Sequence, residues 1–338
     1  MTTIRDVAKK AGVSFKTVSR VINGDPYVSA ETMAKVKRVI EELGYRPNIT
    51  ARSLATKRTF LIGLVIPEFT SPAYAMMVQG IEDVSAVQEY GVLLCRTRHS
   101  RKREEALIEN LASSKRVDGI LLFSNRIDAE FFTQIKKKYK LPLVVIDRDV
   151  EDEEIPCVFT NNREGTYRTT AHLIKAGRTK IAYITPVIDT TTTLERLEGY
   201  EQAMREHGLS YQGRTLVDHT GDREKGFAAM LRLLDREDPP DGVVAFNDLL
   251  AIGAMQAIKE RGLRIPEDIA VVGFDDIEAA SVVEPALTTV RQPLREIGET
   301  ACKMLLQLIN GEEVSTRRVV FEPTLVVRKS CGTGVLCR

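Results

Sequence analysis

The segment Ala11–Asn23 constrains the fold of this chain more than any other. Gly12 suits the left-handed end of one helix, and Ser14, two residues later, suits the N-cap of the next. Upstream, Thr3 suits the N-cap of the first helix, with the carboxylate of Asp6 in its first turn. The sequence therefore predicts two helices that meet across a very tight turn, as in a helix-turn-helix.

The second helix of this pair has an apolar face and a polar face. Its apolar residues, spaced i, i+3, i+4, are Val18, Val21 and Ile22. Arginine presents paired donors that match the two acceptors of guanine in the major groove, so we expect Arg20 to read a base. Hydroxyl groups suit backbone phosphates. The candidate DNA contacts are Ser14, Phe15, Lys16, Thr17, Ser19, Arg20 and Asn23. An ordinary helical hairpin with a solvated polar face is the alternative.

A third helix is predicted from Ser29 to Gly44, and a shorter one follows it. Pro47 breaks the chain, and the helix expected to begin at Asn48 has roughly nine residues, too few to be stable alone. Its small apolar face could pair with a second copy and present leucines to a minor groove. The candidate contacts here are Asn48, Ala51 and Leu54. A plain linker is the alternative.

Together these segments resemble the lactose/galactose repressor (LacI/GalR) family. The matching strings are Ile4-Arg5-Asp6-Val7-Ala8, Ala11-Gly12-Val13-Ser14, Thr17-Val18-Ser19-Arg20-Val21-Ile22-Asn23, Gly44-Tyr45-Arg46-Pro47-Asn48 and Ala51-Arg52-Ser53-Leu54-Ala55. The resemblance implies a bacterial transcription regulator, and a homodimer that binds a pseudo-palindromic operator in double-stranded DNA. It also implies that Leu54 matches the family's minor-groove lever.

Charge is distributed unevenly along the chain. Residues 1–58 contain 12 Lys and Arg against 5 Asp and Glu, a balance of +7, whereas the remainder contains 36 against 42, a balance of −6. A basic head on an acidic body is expected when one end alone meets phosphates. The five cysteines are scattered and odd in number, which suits reduced thiols. With no secretory signal and no membrane span, we expect a cytoplasmic protein. Because the four histidines are scattered and form no cluster with the cysteines, we expect no metal site, and no cofactor is predicted.

Beyond Phe60 apolar runs alternate with helical segments. The runs predicted to be strands are 61–66, 92–94, 119–123, 143–146, 181–184, 242–246 and 269–274. Continuous apolar runs are typical of parallel strands covered on both faces. The sequence therefore predicts an all-α helix-turn-helix head and an α/β body of two doubly wound lobes. The resemblance implies that these lobes are of the periplasmic-binding-protein type.

The predicted domains are a DNA-binding domain over 1–47, a hinge helix over 48–58 and an effector-binding and dimerisation domain over 59–328. The first lobe spans about 59–160 and 293–321, and the second about 162–290 and 323–328, an arrangement that follows from the resemblance. Residues 329–338 form a tail. Several crossovers between lobes would make a hinge that closes on a ligand.

Candidate effector-binding residues follow the strands, because ligands bind outside the carboxyl ends of strands in such sheets. They are Phe69, Tyr74, Asp147, Arg148, Arg196, Asn247, Asp248 and Asp275. The resemblance implies that Arg196 clamps the ligand and that Asp275 binds its hydroxyl groups. Each aspartate has a helix N-cap as its alternative role. The hydroxyl-rich run 190–193 also suits a polar ligand.

The effector itself is expected to be a sugar or a sugar derivative. The resemblance leaves two alternatives, a purine or nucleoside and a phosphorylated carrier protein. A periplasmic-type sugar receptor without a DNA role is disfavoured by the basic head. An α/β enzyme is disfavoured because the chain contains no phosphate loop, nucleophile elbow or zinc-protease motif.

Overall fold

The computed structural model of the protein describes residues 2–22, 25, 27–45, 53, 56, 58–124, 128–150, 152–186, 190–210, 214–217 and 221–332. For residues 129 and 214–217 it describes the backbone only. The chain divides into two compact units, Met1–Phe60 and Leu61–Arg338, which we call the head and the body. Each unit has its own apolar core.

The head contains three helices, α1 (Ile4–Ala11), α2 (Phe15–Ile22) and α3 (Ala30–Leu43). Thr3 and Asp6 form a reciprocal capping box at the start of α1. Gly12 follows α1 with φ 63°, a left-handed conformation that glycine adopts without strain. The Ser14 hydroxyl then accepts the Thr17 N–H at 3.1 Å and caps α2. The predicted helix-turn-helix is confirmed.

A small aliphatic core holds the three helices together. Its buried members are Val7, Ala8, Ala11, Val18, Val21, Val36 and Val39. Partly buried residues that pack against it include Ile4, Ile22, Met33, Ile40 and Leu43. Because nearly every core side chain lies on the periodic positions of its helix, the apolar spacing alone determines which faces of the head meet.

The body alternates strands and helices. The strands are β1 (Leu61–Ile66), β2 (Gly91–Arg96), β3 (Gly119–Phe123), β4 (Leu143–Ile146), β5 (Cys157–Thr160), β6 (Ile181–Pro186), β7 (Arg214–Val217), β8 (Gly242–Ala245), β9 (Ala270–Val272), β10 (Thr289–Arg291), β11 (Arg318–Phe321) and β12 (Thr324–Val326). The helices are α4 (Pro72–Val87), α5 (Arg101–Ser114), α6 (Ala129–Tyr139), α7 (Asn162–Lys175), α8 (Thr191–Glu206), α9 (Arg223–Leu234), α10 (Asp248–Glu260), α11 (Glu278–Val282) and α12 (Leu294–Asn310).

Two parallel sheets organise these elements. The first has the strand order β11-β5-β4-β3-β1-β2, and the second has the order β7-β6-β8-β9. The pairings within both sheets are parallel. A separate antiparallel pair joins β10 to β12. The predicted doubly wound α/β body is therefore confirmed.

The chain passes between the two sheets three times in its described part. It leaves the first sheet after β5, returns after β10 and leaves again after β11. Helix α12, on the return, packs against α4, which follows β1. A Cβ atom on Gly298 of α12 would stand 2.0 Å from the Met77 carbonyl oxygen of α4, so this helix spacing requires glycine.

Each strand predicted from an apolar run is present, and the short strands β5, β7, β10, β11 and β12 were not predicted. The predicted hinge helix over 48–58 lies outside the described residues, apart from Ser53, Thr56 and Arg58. The domain boundaries stay predictions. Within the described residues, no helix combines the length and the apolar character that crossing a bilayer requires.

Candidate functional site

The outward face of α2 carries the predicted DNA contacts of the head. Phe15 is 54% exposed, although it is a large apolar side chain. Lys16 and Arg20 are also exposed, while Thr17 and Ser19 are half-buried. The Arg20 guanidinium lies 3.6 Å from the Asp25 carboxylate, in an exposed ion pair of the kind that contributes little to stability. Arg20 can therefore exchange this partner for another acceptor.

Four predicted DNA contacts lie outside the described residues: Asn23, Asn48, Ala51 and Leu54. Ser14 has a structural role already, because its hydroxyl caps α2 and lies 2.9 Å from the Thr17 hydroxyl. A capping hydroxyl sits at a helix N-terminus, where backbone N–H groups favour an anion. The position therefore suits a phosphate as well as a cap.

In the body, a cavity opens between the carboxyl ends of the two sheets. Its volume is about 110 Å³, several times the space that one water molecule needs. Pro67, Thr97, Phe123 and Asp147 come from the ends of first-sheet strands. The remaining described lining residues are Glu68, Ser71, Ala73, Tyr74, Met77, His99, Glu104, Pro186, Thr190, Thr192, Thr193, Arg196, Gly221, Phe246, Asn247, Asp275 and Gln292. This position is where doubly wound sheets bind ligands.

Arg196 is held in place by several contacts. Its side chain is 4% exposed. Its Nε donates to Asn162 Oδ1 at 2.9 Å, and its Nη1 donates to the Phe246 carbonyl oxygen at 2.6 Å. The guanidinium carbon lies 4.5 Å from the ring centre of Phe246 and 3.7 Å from that of Phe274. These contacts fix the charged plane before any ligand arrives.

Asp275 faces Arg196 across the same wall, with 3.6 Å between its Oδ1 and Nη2 of the arginine. Gln292 Nε2 also donates to Asp275 Oδ1, at 2.8 Å. Burial raises the pKa of Asp275 to about 6, although Arg196 and Gln292 both lower it. Its backbone has φ 113°, in the region that favours glycine. Such strain at a buried carboxylate is typical of a functional position.

The residue after Asp275 anchors this loop to the crossover strands. The Asp276 carboxylate accepts Arg291 Nε from β10 at 2.6 Å and Arg328 Nη2, beyond β12, at 2.6 Å. Asp275 itself is bridged to Arg291 through the backbone. A ligand that contacts Asp275 therefore acts on a loop that is tied to two of the three crossovers.

Asn247 and Asp248 have separate structural roles. Asn247 is the N-cap of α10, because its Oδ1 accepts the Leu250 N–H, and it also lines the cavity. Asp248 lies outside the cavity lining. Its carboxylate accepts the Ile277 N–H at 2.9 Å and the Thr289 hydroxyl at 2.5 Å. Burial and Asp275 raise the pKa of Asp248 well above its ordinary value.

The other predicted effector residues divide between the cavity and its surroundings. Tyr74 and Asp147 line the cavity, whereas Phe69 and Arg148 do not. Phe69 is 48% exposed, with the Arg96 guanidinium 5.6 Å from its ring centre. Burial lowers the pKa of Arg148. The structure thus brings together Tyr74, Asp147, Arg196, Asn247 and Asp275.

The hydroxyl-rich run 190–193 also reaches the cavity through Thr190, Thr192 and Thr193. Part of its hydroxyl capacity is used by the protein. The Thr190 hydroxyl caps α8 by accepting the Thr193 N–H at 3.2 Å. The Thr192 hydroxyl donates to the Asp147 carbonyl oxygen at 3.0 Å, which joins α8 of one lobe to the strand end of the other.

Several lining residues were missed from the sequence. Glu68, His99, Glu104 and Gln292 carry polar groups at the cavity, and Phe123 packs edge to face on Tyr74 with 5.3 Å between ring centres. Glu68 and Phe123 were detectable, since they stand at or within two residues of the end of a predicted strand, whereas His99 lies five residues beyond the predicted strand 92–94. Glu104 carried no signal, because it lies inside α5 and nothing local marks it as inward-facing.

Among the described residues, no group of three or more His, Cys, Asp and Glu side chains is arranged to hold a metal ion. The four described cysteines, Cys95, Cys157, Cys302 and Cys331, form no disulfide with one another. Cys331 is buried, with its Sγ 3.3 Å from His172 Nε2. Cys337 lies outside the described residues.

Comparisons with known proteins find a matching family for each of the two units. Residues 3–48 match the family "Bacterial regulatory proteins, lacI family", and residues 170–331 match "Periplasmic binding protein-like domain". The chain is 35% identical over 330 residues to the HTH-type transcriptional repressor PurR of Aliivibrio salmonicida (strain LFI1238), covering 98% of this chain and 99% of that protein.

Solved structures that are similar over nearly the whole chain include the following two. The Lac repressor dimer bound to operator and the anti-inducer ONPF has a TM-score of 0.86 and 30% identity, covering 98% of this chain and 99% of that chain. The complex of the transcriptional regulator CelR with cellobiose has a TM-score of 0.72 and 36% identity, covering 98% and 100%.

A helix-turn-helix head joined to a body of the binding-protein type defines a DNA-binding transcriptional repressor controlled by a small effector. The chain belongs to the LacI family of bacterial regulatory proteins, and the family predicted from the head sequence is confirmed.

Proposed function

We propose that the effector of this repressor is a sugar or a sugar derivative, bound in the cavity of the body. The observation that carries the proposal is the buried pair Arg196 and Asp275, which presents fixed donors and a fixed acceptor at one wall of the cavity. Adjacent hydroxyl groups of a sugar both donate and accept hydrogen bonds, so they match such a pair.

The surrounding wall supports the same chemistry. Threonine hydroxyls and the Asn247 amide add short polar groups, while Tyr74 and Phe123 add apolar surface. A pyranose or furanose ring has hydroxyl groups at its rim and C–H groups on its faces, so it uses both kinds of surface. The similarity to CelR, whose structure contains cellobiose, also favours a sugar.

A purine or nucleoside is the second candidate, favoured by the similarity to PurR. A purine base binds best against an open aromatic face. The ring faces of Phe246 and Phe274 are covered by the Arg196 guanidinium, and Tyr74 is packed edge to face on Phe123. These contacts leave less parallel aromatic surface among the described residues, which favours the sugar.

For the head, we propose that Arg20 reads bases, with Phe15 and Lys16 at the leading end of α2 and Ser14 and Thr17 at phosphates. Exposure of the α2 face supports these roles. We further propose a homodimer on a pseudo-palindromic operator, as in the Lac repressor dimer structure. A hinge helix over 48–58 would then place two copies of Leu54 at the minor groove.

Closure of the two lobes would couple binding of the effector in the body to binding of the operator by the head. The predicted lobe boundaries fall at the three crossovers, and the Asp275–Asp276 loop is tied to the crossover strands. Closure would change how the two hinge helices of the dimer pair, with a coupling free energy of about 1–3 kcal/mol. Binding and release, without turnover of the ligand, is the activity that we propose.

A ligand screen on the full-length protein tests the effector class. Melting temperature is measured with a panel of neutral pentoses, hexoses and disaccharides, and with guanine, hypoxanthine and adenosine, because a ligand that binds the native state raises it. We expect a rise with at least one sugar and none with the purines. A rise with a purine alone would contradict the sugar assignment.

Two variants locate the binding event. Asp275→Ala is expected to abolish the rise in melting temperature with the sugar found in the screen. Asp238→Ala, which removes an exposed carboxylate that pairs with Lys180 away from the cavity, is the matched control and should keep it. Equal responses in the two variants would place the effector somewhere other than this cavity.

A further inference from the structure

The charge of the cavity wall restricts the effector more narrowly than hydroxyl chemistry does. Among the lining residues that the structure describes, four bear carboxylates: Glu68, Glu104, Asp147 and Asp275. The basic groups in the same described lining are Arg196 and His99. The wall is therefore acidic in balance, and a ligand that enters it meets more negative than positive charge.

The charge of each basic group is already offset by a carboxylate of the cavity wall, so neither group can pair with an anionic ligand without losing that partner. Arg196 lies 3.6 Å from Asp275, and its other contacts are fixed by Asn162 and the Phe246 carbonyl oxygen. His99 Nε2 lies 3.8 Å from Glu68 Oε2. A protonated His99 would therefore only neutralise Glu68, and the remaining carboxylates would still outnumber Arg196.

Three of the four carboxylates lie close enough to Tyr74 for their charges to act on its hydroxyl group. Burial raises the pKa of the Tyr74 hydroxyl, and the charges of Asp147, Glu68 and Asp275 raise it further, while Arg196 opposes them. The Tyr74 side chain lines the same cavity as these groups. An anionic group held near Tyr74 would meet the same three carboxylates.

The partial positive charge of the helix N-termini at the cavity offsets only part of the negative charge of the carboxylates. The side chains of Thr190 and Asn247 already cap α8 and α10. At α4, Ser71 makes no capping hydrogen bond, and Pro72 supplies no N–H. The N-terminus of a helix is equivalent to about half an elementary charge, so α4 offsets half of one carboxylate. Its N–H groups suit a ligand hydroxyl.

We propose that the cavity selects an uncharged effector and rejects the phosphorylated form of the same molecule, with Glu68 and Glu104 of the first lobe as specificity-determining residues. Glu104 is 4% exposed, so its carboxylate is screened little by solvent, and the Arg148 guanidinium, which lies outside the cavity lining, offsets part of its charge. The inference rests on the proposed function in one respect, that this cavity holds the effector. It does not require the effector to be a sugar.

The test is isothermal titration of the full-length protein with three matched pairs: D-ribose and D-ribose 5-phosphate, D-glucose and D-glucose 6-phosphate, and adenosine and AMP. In each pair that binds, we expect the neutral member to bind at least about tenfold more tightly, which corresponds to about 1.4 kcal/mol. Glu68→Gln and Glu104→Gln should each reduce that ratio several-fold, because glutamine keeps the shape and removes the charge.

Glu312→Gln, which neutralises an exposed carboxylate outside the cavity lining, is the matched control and should leave the ratio unchanged. Melting curves establish that each variant is folded, and Glu68→Gln alone carries the test if buried Glu104 does not tolerate replacement.

Tighter binding of a phosphate ester by the wild type, or an unchanged ratio in folded Glu68→Gln, would overturn the inference, as would binding of no member of any pair. Discrimination seen only in the adenosine pair would support charge selection and contradict the sugar assignment. The two proposals can therefore fail separately.

Discussion

The head and the body present their functional side chains in opposite ways. On α2, Arg20 is 65% exposed, and its ion pair with Asp25 is solvated. In the body, the side chains of Arg196 and Asp275 are 4% and 10% exposed and are held by several partners. The α2 face therefore needs an external partner to order it, whereas the cavity wall is fixed in advance. Substitutions in the body should change stability and binding together, and those on α2 should change binding alone.

The largest effect should come from Arg196→Ala. It removes two hydrogen bonds and leaves the buried Asp275 carboxylate without its cation, so we expect a loss of about 3–5 kcal/mol in the free energy of unfolding. Differential scanning calorimetry of the full chain measures it. Arg196→Lys, which keeps the charge but not the planar fork, should lose less. An unchanged transition in Arg196→Ala would mean that the body does not depend on this buried charge.

A smaller effect of similar origin should appear as pH dependence. Burial raises the pKa of Asp275 to about 6 from an ordinary value of 3.8, so the folded state holds this proton more tightly than the unfolded state. The resulting stability is fully present below about pH 4 and is lost as the pH rises through 6, with a total of about 3 kcal/mol.

The variant Asp275→Asn removes that contribution together with the effect of the Asp275 charge on the pKa of Asp248, while every other titrating group remains in both proteins. The difference in unfolding free energy between wild type and variant should change by about 2 kcal/mol between pH 4 and pH 7.5, with the wild type losing stability relative to the variant. Parallel stability curves across this range would show that Asp275 has an ordinary pKa.

On the head, Arg20→Ala should cost about 1–3 kcal/mol in operator binding and relax the preference at one base. The melting temperature should not change, because the side chain is 65% exposed. Selection from a random DNA library, followed by fluorescence anisotropy, measures both the preference and the affinity. Lys10→Ala removes a cation from α1 and serves as the control. Unchanged base selection by Arg20→Ala would remove this residue from readout.

The smallest effect should come from Thr3→Ala. It removes the hydroxyl that accepts the Asp6 N–H in the capping box and should destabilise the head by about 1 kcal/mol. Faster amide hydrogen exchange in α1 measures this loss within the full chain, and Thr3→Ser should retain the cap. If the exchange rates of the two variants agree, the hydroxyl does not stabilise α1.

Prediction from the sequence succeeds where the signals are local. In the head, caps and apolar stripes lie within a few residues of each other, so Thr3, Gly12, Ser14 and Gly44 mark helix ends directly. In the body, apolar runs predict the central strands for the same reason. The short strand β11 has an apolar run of three residues, 319–321, that was not predicted as a strand, and its place in the sheet is set by pairing with β5, far away in the chain.

The site is harder to predict because its contacts are distant in sequence. Arg196 binds Asn162 and the Phe246 carbonyl oxygen, 34 and 50 residues away, and no local pattern predicts either partner. The place of Asp248 in the sequence does not by itself determine the role of its side chain. It follows a strand, as a ligand residue or a helix cap would, yet Asn247 provides the cap and Asp248 is bonded to Ile277 and Thr289.

The most direct test of the central claim measures operator affinity with and without effector in one experiment. Full-length wild type and Asp275→Ala are titrated onto the selected operator by fluorescence anisotropy, in buffer and in saturating concentrations of the neutral sugar found by the screen. We expect the sugar to change the operator Kd of the wild type by about 5–150-fold and to leave that of Asp275→Ala unchanged. An operator Kd of the wild type that does not respond to a sugar bound in the cavity would contradict control of the head by the body.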